Sequence, residues 1–292
     1  MLKQLNTLSV WDNELSGPLP SEIGLLLQLI GMYLYSNQLL GPVPSELGLL
    51  QQLINLELNI NQLSSTLPLE LGKLQHLENM FLANNQLTGP IPSELGKLQQ
   101  LEKMFLANNQ LTGSVPSEIG ILQRLIGLYL YSNQLSGPIA SELGMLQQII
   151  NLEVNINQLS GTIPLELGKL QYLENMLLAN NQLTGSIPAE LGMLQKLTDL
   201  DMCSNQFAGL IPSELGMLEQ LTGLYLYRNH FVGPIPLEIG RLHQLKNWNS
   251  ISINFLGQFP WSLGCFHNWK TCFLQTINLQ APFPLNLECL HS

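Results

Sequence analysis

The sequence predicts an α/β-type solenoid, a leucine-patterned horseshoe or superhelix of about eleven to twelve repeats of 24 residues with a concave parallel β-sheet. The first observation behind this prediction is an Asn column with a period of 24 residues and no insertion. Its members are Asn13, Asn37, Asn61, Asn85, Asn109, Asn133, Asn157, Asn181, Asn205 and Asn229. The second and third observations are an apolar column from Leu29 to Leu245 and a Gly column from Gly24 to Gly264, both with the same period.

Each repeat predicts one short strand followed by a turn. In the repeat that begins at Leu29, Met32 and Leu34 alternate along the strand, so both side chains point to the inside of the coil. Leu39 and Leu47 fill the same interior from the opposite side. One repeat cannot bury this apolar face alone, whereas stacked repeats cover each other at a strand spacing of about 4.8 Å.

The Asn, Gly and Pro columns are interpreted as structural. At each Asn the chain leaves the strand, where backbone N–H and C=O groups lack ladder partners, and a buried amide side chain supplies both donors and an acceptor. In segment 89–92, Gly-Pro-Ile-Pro, the Gly permits a positive φ and Pro prevents helix continuation. None of these columns is assigned a role in binding.

The repeat N-x-L-x-G-x-I-P-x-x-L-G-x-L resembles the plant-type leucine-rich repeat of receptor-like kinase ectodomains and polygalacturonase-inhibiting proteins. Segment 161–168, Gly-Thr-Ile-Pro-Leu-Glu-Leu-Gly, is one example, and the resemblance covers nearly all of the chain. It implies that the G-x-I-P segment forms a second short strand outside the main sheet. It also implies a concave face that, with its flanks, binds peptides, proteins or co-receptors.

The two ends of the chain depart from the family pattern. The predicted organisation is a repeat array over residues 1–264 without an N-terminal cap, and a degenerate last repeat or C-terminal capping region over 265–292. Leu2, Leu5, Leu8 and Val10 lie at the open edge of the first repeat, which predicts self-association through that edge.

The compartment is not decided by the sequence. The family resemblance suggests the cell surface or the extracellular space. However, the sequence contains neither a secretory signal peptide nor a run of eighteen apolar residues that would span a membrane. An intracellular protein and a fragment of a larger receptor therefore remain alternatives.

The charge pattern argues against nucleic-acid binding. The formal net charge is −10, but ten Glu residues form one column of the repeat, from Glu22 to Glu238, and belong to the scaffold. The remaining acids nearly balance the 11 Lys and Arg residues. Such a surface disfavours phosphate backbones.

The concave strand positions form the candidate binding surface, because their side chains face solvent and are not needed by the core. Aromatic and acidic residues alternate there, and aromatic residues dominate the hot spots of protein interfaces. The candidate partner-binding residues are Trp11, Tyr33, Tyr35, Glu57, Phe81, Phe105, Tyr129, Tyr131, Glu153, Asp199, Asp201, Tyr225, Tyr227 and Arg228. An acidic face with aromatic islands predicts a protein or peptide partner that carries Lys or Arg beside apolar anchors. The alternative is that the aromatic pairs only stabilise the sheet.

A block of four repeats is duplicated in the chain. Residues 29–100 match residues 125–196 at 57 of 72 positions, including solvent-facing ones. A repetitive ligand would meet two equal surfaces roughly 20 Å apart. If the duplication has no functional consequence, specificity is concentrated where the copies differ, near residues 199–228.

Three of the four Cys residues lie close to the C-terminus. Cys265 and Cys289 are 24 residues apart, as are His267 and His291. Three free thiols are the leading interpretation. The family resemblance, in which cap cysteines are often paired, implies a Cys265–Cys289 disulfide as an alternative in an oxidising compartment, and a zinc site is the other alternative. The spacing comes from the repeat and matches no zinc finger, so no metal is predicted. Cys203, on the concave face, is interpreted as a small filler rather than a nucleophile.

No sequence feature supports catalysis. The five His residues are scattered, and no H-E-x-x-H, G-x-S-x-G or phosphate-binding Gly-rich loop occurs. The prediction is therefore a non-catalytic recognition scaffold without a cofactor, resembling the ligand-binding ectodomain of a receptor-like protein in signalling. Two alternatives stay open: a secreted enzyme inhibitor of the polygalacturonase-inhibiting type, and an array that binds a polysaccharide or ice surface.

Overall fold

A computed structural model describes residues 4–249 of the chain. Within this range, a repeat contributes one strand to the main sheet, one strand to an outer sheet and one short 3₁₀ helix, in that order. The strands are numbered β1 to β21 in chain order, so that odd numbers form the main sheet and even numbers form the outer sheet. The predicted leucine-patterned solenoid with its parallel sheet is confirmed.

The main sheet consists of parallel three-residue strands, and each residue pairs with the residue 24 positions further along the chain. The strands are β1 (Thr7–Ser9), β3 (Gly31–Tyr33), β5 (Asn55–Glu57), β7 (Asn79–Phe81), β9 (Lys103–Phe105), β11 (Gly127–Tyr129), β13 (Asn151–Glu153), β15 (Asn175–Leu177), β17 (Asp199–Asp201), β19 (Gly223–Tyr225) and β21 (Asn247–Asn249). Equivalent positions therefore stand side by side in columns across the sheet.

The outer sheet is formed by the second short strand of each repeat, which the family resemblance implies. Its strands are β2 (Ser16–Pro18), β4 (Gln38–Pro42), β6 (Gln62–Thr66), β8 (Gln86–Pro90), β10 (Gln110–Gly113), β12 (Gln134–Pro138), β14 (Gln158–Gly161), β16 (Gln182–Gly185), β18 (Gln206–Gly209) and β20 (His230–Phe231). Leu63 in β6 pairs with Gly41 in β4, an offset of 22 residues. Equivalent residues are therefore shifted by two positions from direct pairing in this sheet.

The helical element of each repeat is a 3₁₀ turn of five residues. These turns are Ser21–Leu25, Ser45–Leu49, Leu69–Lys73, Ser93–Lys97, Ser117–Ile121, Ser141–Met145, Leu165–Lys169, Ala189–Met193, Ser213–Met217 and Leu237–Arg241. They are shorter than the α-helix that the α/β-type label suggests. The Gly column makes their close stacking possible, because a Cβ on Gly96 would lie 2.5 Å from the carbonyl oxygen of Glu118 in the next turn.

One continuous apolar core runs along the repeats. Met32 and Leu34 are 0% and 4% exposed, as the alternation of the strand predicts. Leu39 and Leu47 are buried from the opposite side. Because each repeat covers the apolar edge of the next, burial continues at every step of the array.

The Asn column satisfies backbone groups, as predicted. Asn109 donates from Nδ2 to the carbonyl oxygens of Leu82 and Leu106 at 3.0 and 3.1 Å, and its Oδ1 accepts from the N–H of Leu87 at 3.0 Å. The same contacts recur at the other buried ladder positions, for example at Asn205. Each ladder amide from Asn37 to Asn229 thus joins one repeat to the preceding one.

The residue before each ladder Asn has a left-handed backbone. Among residues 4–249, Asp12, Ser36, Asn84 and eight others have a positive φ without being Gly, and this column accounts for ten of these eleven. Asn, Asp and Ser tolerate this conformation, whereas a β-branched residue is strained in it. Ile60 (φ 56°) and Ile156 (φ 55°) nevertheless occupy it in the two copies of the duplicated block.

The described residues leave part of the predicted organisation untested. The capping region 265–292, with Cys265, Cys289, His267 and His291, lies outside residues 4–249, and so does the predicted end of the array at residue 264. Among residues 4–249, none of the helices has the length and apolar character needed to cross a bilayer.

Candidate functional site

The third residue of each main strand belongs to one column, named here the central column, which runs from Ser9 to Tyr225. Its members are Ser9, Tyr33, Glu57, Phe81, Phe105, Tyr129, Glu153, Leu177, Asp201 and Tyr225. Ser9 is exposed, and the other nine are partly exposed, although they stand between buried neighbours in the sequence. The structure thus brings the predicted candidates of this column together on one face.

Three consecutive rings of the central column form an aromatic platform, defined as Phe81, Phe105 and Tyr129. The ring centroids of Phe81 and Phe105 are 4.7 Å apart with an interplanar angle of 52°. The rings of Phe105 and Tyr129 stack at 3.9 Å and 15°. These pairs stabilise the sheet, as the alternative predicts, and their partly exposed faces also remain open to a partner.

A Gly two residues earlier makes room for Tyr rings of the central column. A Cβ on Gly31 would lie 2.6 Å from the Tyr33 ring, and one on Gly127 would lie 2.5 Å from the Tyr129 ring. Each ring therefore folds back along its own strand over the Gly. The Gly-x-Tyr pattern recurs every 96 residues, so this local arrangement was copied with the block.

Carboxylates flank the aromatic platform on both sides. Glu57 pairs in register with Phe81, and Glu153 pairs with Tyr129. Burial raises the pKa of both carboxyl groups above the usual value of 4.5. Neither carboxylate has an ion-pair partner in the part of the chain that the structure describes. An approaching cation would therefore find two unpaired, partly desolvated negative charges.

A second row of candidates lies two residues beyond the central column, after each strand has ended. Trp11 stacks on Tyr35 with centroids 5.2 Å apart and an interplanar angle of 8°. Trp11 is 48% exposed, and Tyr131 and Tyr227 are partly exposed. The expectation that this whole row faces solvent is wrong for its small members, which are buried: Ala83, Ala107, Ala179 and Cys203.

Cys203 is a buried filler, as predicted. Burial raises the pKa of its thiol to about 11, so the thiol is protonated at neutral pH and is no nucleophile. A hydrogen bond with this thiol, followed by burial, raises the pKa of the neighbouring Tyr227 to about 12. The pair therefore stays neutral and adds no charge to the face.

The last described repeats carry the remaining candidates. Asp199 and Asp201 are partly exposed on β17, and the carboxylate of Asp199 lies over Gly223 in the next strand. Burial first and then both aspartates raise the pKa of the Tyr225 hydroxyl. Arg228 is exposed at the left-handed position, with a φ of 54°. This end is more acidic than the platform.

Sequence reasoning missed two features of the face. The side chain of Asn79 donates to Asn55 at 2.8 Å, and that of Asn175 donates to Asn151 at 2.7 Å. These amides form short ladders beside the central column, and their 24-residue spacing was the available signal. The guanidinium of Arg124 pairs with Glu102 at 2.8 Å, which neutralises one acid near the platform.

No metal-ion site is formed by the described residues. Across residues 4–249, no group of three or more His, Cys, Asp and Glu side chains is placed to hold a metal ion. One buried polar atom of that range, Oδ1 of Asn155, accepts no hydrogen bond from the protein. The face thus offers apolar rings, carboxylates and amides to a ligand.

Comparison with known proteins agrees with this geometry. The sequence profile of the Leucine Rich Repeat matches residues 76–98, 100–122, 172–194 and 196–218. The plant peptide hormone receptor RGFR1, solved in complex with RGF2, is 33% identical with a TM-score of 0.81, over 87% of this chain and 45% of the receptor chain. This chain belongs to the leucine-rich repeat family.

Two further structures of the family extend the comparison. The Arabidopsis receptor kinase HAESA, in complex with the peptide hormone IDA and the co-receptor SERK1, is 34% identical with a TM-score of 0.80, over 85% of this chain and 42% of that one. A plant ice-binding protein is 29% identical with a TM-score of 0.70, over 84% of this chain and 81% of that one. No curated protein sequence matches the chain.

The leucine-rich repeat chain spans less than half the length of the two receptor chains described above. RGFR1 is a plant peptide hormone receptor solved with RGF2, and HAESA was solved with the peptide hormone IDA. The similarity supports a ligand-recognition scaffold, and it leaves the identity of the ligand to the surface of this chain.

Proposed function

We propose that this leucine-rich repeat chain is a non-catalytic recognition scaffold that binds a peptide or protein ligand on its main sheet, as the ligand-binding part of a receptor-like protein in signalling. The observation that carries the proposal is the central column. Its aromatic and acidic side chains remain partly exposed, while the alternate residues of the same strands fill the core. Packing alone does not require large aromatic residues at such positions.

The similar receptors support this proposal, because the peptide hormone receptor RGFR1 was solved with RGF2 and HAESA was solved with the peptide hormone IDA. The chain spans only part of those receptors, so we propose, by similarity, that it also acts with a co-receptor and a downstream signal. The location at a cell surface is proposed on the same grounds.

A selection from a random displayed-peptide library tests the proposal. Peptides selected on the wild-type chain are expected to lose binding to a Phe105→Ser variant, which removes the middle ring of the platform. Leu69→Ser is the matched control, because Leu69 is 52% exposed on a 3₁₀ turn away from the main sheet. Selected peptides that bind both variants equally well, or no selected peptides at all, would contradict binding on this face.

A second candidate function is adsorption to an ice surface. Six consecutive outer strands carry a hydroxyl at the same position: Ser64, Thr88, Thr112, Ser136, Ser160 and Thr184. The plant ice-binding protein matches this chain over most of its own length. The offset of 22 residues between paired outer strands shifts these hydroxyls from direct pairing, which makes the row less regular than the main sheet.

Ice affinity separates the two candidates. Incorporation into a slowly growing ice crystal, lost on substitution of Thr88 and Thr112 by Lys and retained in the Phe105→Ser variant, would favour the ice surface. The inhibitor of a secreted enzyme stays a prediction, tested by adding the chain to a pectinase assay.

A further inference from the structure

The central column is arranged almost symmetrically around the platform. In register, its order is Glu57, Phe81, Phe105, Tyr129 and Glu153, with one carboxylate at each end and three rings between them. The second and third residues after each carboxylate are also the same. Asn59 and Ile60 follow one, and Asn155 and Ile156 follow the other.

The separation of the two carboxylates matches an extended chain. Four strand steps of about 4.8 Å place Glu57 and Glu153 roughly 19 Å apart along the column. Six residues of an extended peptide, at about 3.3 Å each, span roughly 20 Å. Since side chains alternate between faces with a period of two, residues six apart point to the same face. Offsets of four or eight residues span about 13 and about 26 Å and miss one of the carboxylates.

The surrounding charges define where a cation is accepted. Glu102, near the middle of the platform, is already paired with Arg124. Lys103 is exposed on the same strand as Phe105 and repels a second cation there. Glu57 and Glu153 lack an ion-pair partner in the described part of the chain, so the ends of the column attract cations and its middle favours apolar groups.

The two exposed isoleucines add an apolar contact at each end. Ile60 is 50% exposed and Ile156 is 49% exposed, three residues beyond the carboxylates. Each carboxylate is thus followed, three residues later, by an exposed apolar side chain. The aliphatic stem of a Lys or Arg residue suits such an environment, because it buries its methylenes and keeps its charge at the carboxylate.

We infer that the main sheet binds an extended peptide through two basic side chains six residues apart, one on Glu57 and one on Glu153, with two apolar side chains between them on Phe81, Phe105 and Tyr129. The inference rests on the proposed recognition function and narrows it to one ligand pattern: basic-x-apolar-x-apolar-x-basic. The charge complementarity of the column and its length together select this occupant.

A peptide series with constant composition tests the pattern. Each synthetic peptide is blocked at both termini and contains two lysines, two phenylalanines and serine spacers, with the lysines four, six or eight residues apart and the phenylalanines between them. The six-residue spacing is expected to bind about tenfold more tightly than the other two, as measured by isothermal titration calorimetry. All three peptides carry the same net charge, so nonspecific attraction to an acidic protein does not discriminate between them.

Variants of the full chain connect the spacing to the two carboxylates. Glu57→Gln and Glu153→Gln are each expected to lower the affinity for the peptide with lysines six residues apart by about tenfold. Each variant should then bind the peptides of all three spacings with similar affinity. Glu118→Gln and Glu142→Gln are the matched controls, because both side chains are exposed on 3₁₀ turns outside the main sheet. The controls are expected to leave all three affinities unchanged.

The outcomes separate this inference from the function on which it rests. Equal affinity for all spacings, or a preference for six that survives both Gln substitutions, overturns the inference. If library-selected peptides still require Phe105, the recognition function stands without it. If none of the three synthetic peptides binds and the library also gives no Phe105-dependent peptide, both fail.

Discussion

The ring of Phe105 stacks on the ring of Tyr129 with centroids 3.9 Å apart, and the two residues are register partners in neighbouring strands. Insertion or deletion of one residue in either strand would turn one of the rings to the other side of the sheet. The platform therefore depends on the uninterrupted period of 24 residues.

Replacing a ladder amide should destabilise the chain strongly. Asn109→Ala removes the donors to Leu82 and Leu106 and the acceptor for the N–H of Leu87, and it leaves these groups unpaired next to the core. We expect a loss of about 2–4 kcal/mol in the free energy of unfolding, measured with urea. Asn13→Ala is the control, because exposed Asn13 bonds only to nearby carbonyls, and it should cost less than about 1 kcal/mol. Equal losses would contradict the ladder interpretation.

Relief of backbone strain should stabilise the chain. Ile60→Asn and Ile156→Asn introduce Asn at the left-handed position. Asn84 and Asn108 already occupy the equivalent position in other repeats. Each substitution is expected to raise the free energy of unfolding by about 1 kcal/mol, because a β-branched side chain is disfavoured at positive φ. Ile150→Asn, at a residue without a positive φ, should not stabilise the chain.

Burial of Glu57 and Glu153 makes stability depend on pH. Because burial raises the pKa of both carboxyl groups in the folded chain, their contribution to stability is fully present below the unfolded pKa of about 4.5 and is lost as pH rises through the folded pKa. The variant with Gln at both positions should therefore be more stable than the wild type at about pH 7 and similar to it below about pH 4.

Thermal unfolding over this pH range provides the measurement. Glu118→Gln with Glu142→Gln is the matched double substitution at exposed positions, and it should not show the same pH-dependent gain over the wild type. A constant difference between wild type and the Glu57/Glu153 variant at all pH values would contradict the burial effect.

The first strand should promote self-association. β1 pairs only with β3 among the described strands, and Leu8 within β1 and Val10 just after it are only partly buried. Unpaired edges of this kind add further strands. Sedimentation of the chain of residues 1–292 should show self-association that increases with concentration. This self-association should be weaker in a Leu8→Lys variant. A chain that remains monomeric at high concentration would contradict the edge proposal.

The period explains why most of the fold could be predicted from the sequence. The Asn and Leu columns determine which residues enter the core and where each turn falls, so Met32, Leu34 and the ladder amides lie where expected. The 22-residue register of the outer sheet could not be predicted, because its strands contain turn residues without a clear alternation.

The sequence predicts on which face of the sheet the candidate residues lie, but it predicts less well how their side chains pack. The columns place Glu57, Phe81 and Phe105 on one face because a strand alternates with a period of two. The folding of the Tyr129 ring over Gly127 and the burial of Cys203 depend on side-chain packing between neighbouring repeats. Such packing varies with the side chains of adjacent repeats even where the backbone period is constant.

In the part of the chain that the structure describes, the strands of the main sheet add in sequence order, so each repeat there bonds only to the repeats before and after it. A block of whole repeats can therefore enter the gene between any two units and find a complete set of bonding partners at both junctions. The copy shared by residues 29–100 and 125–196 is consistent with growth by unequal recombination. The number of repeats can therefore change during evolution without loss of the fold. A second copy of a binding pattern arises as soon as the block is copied.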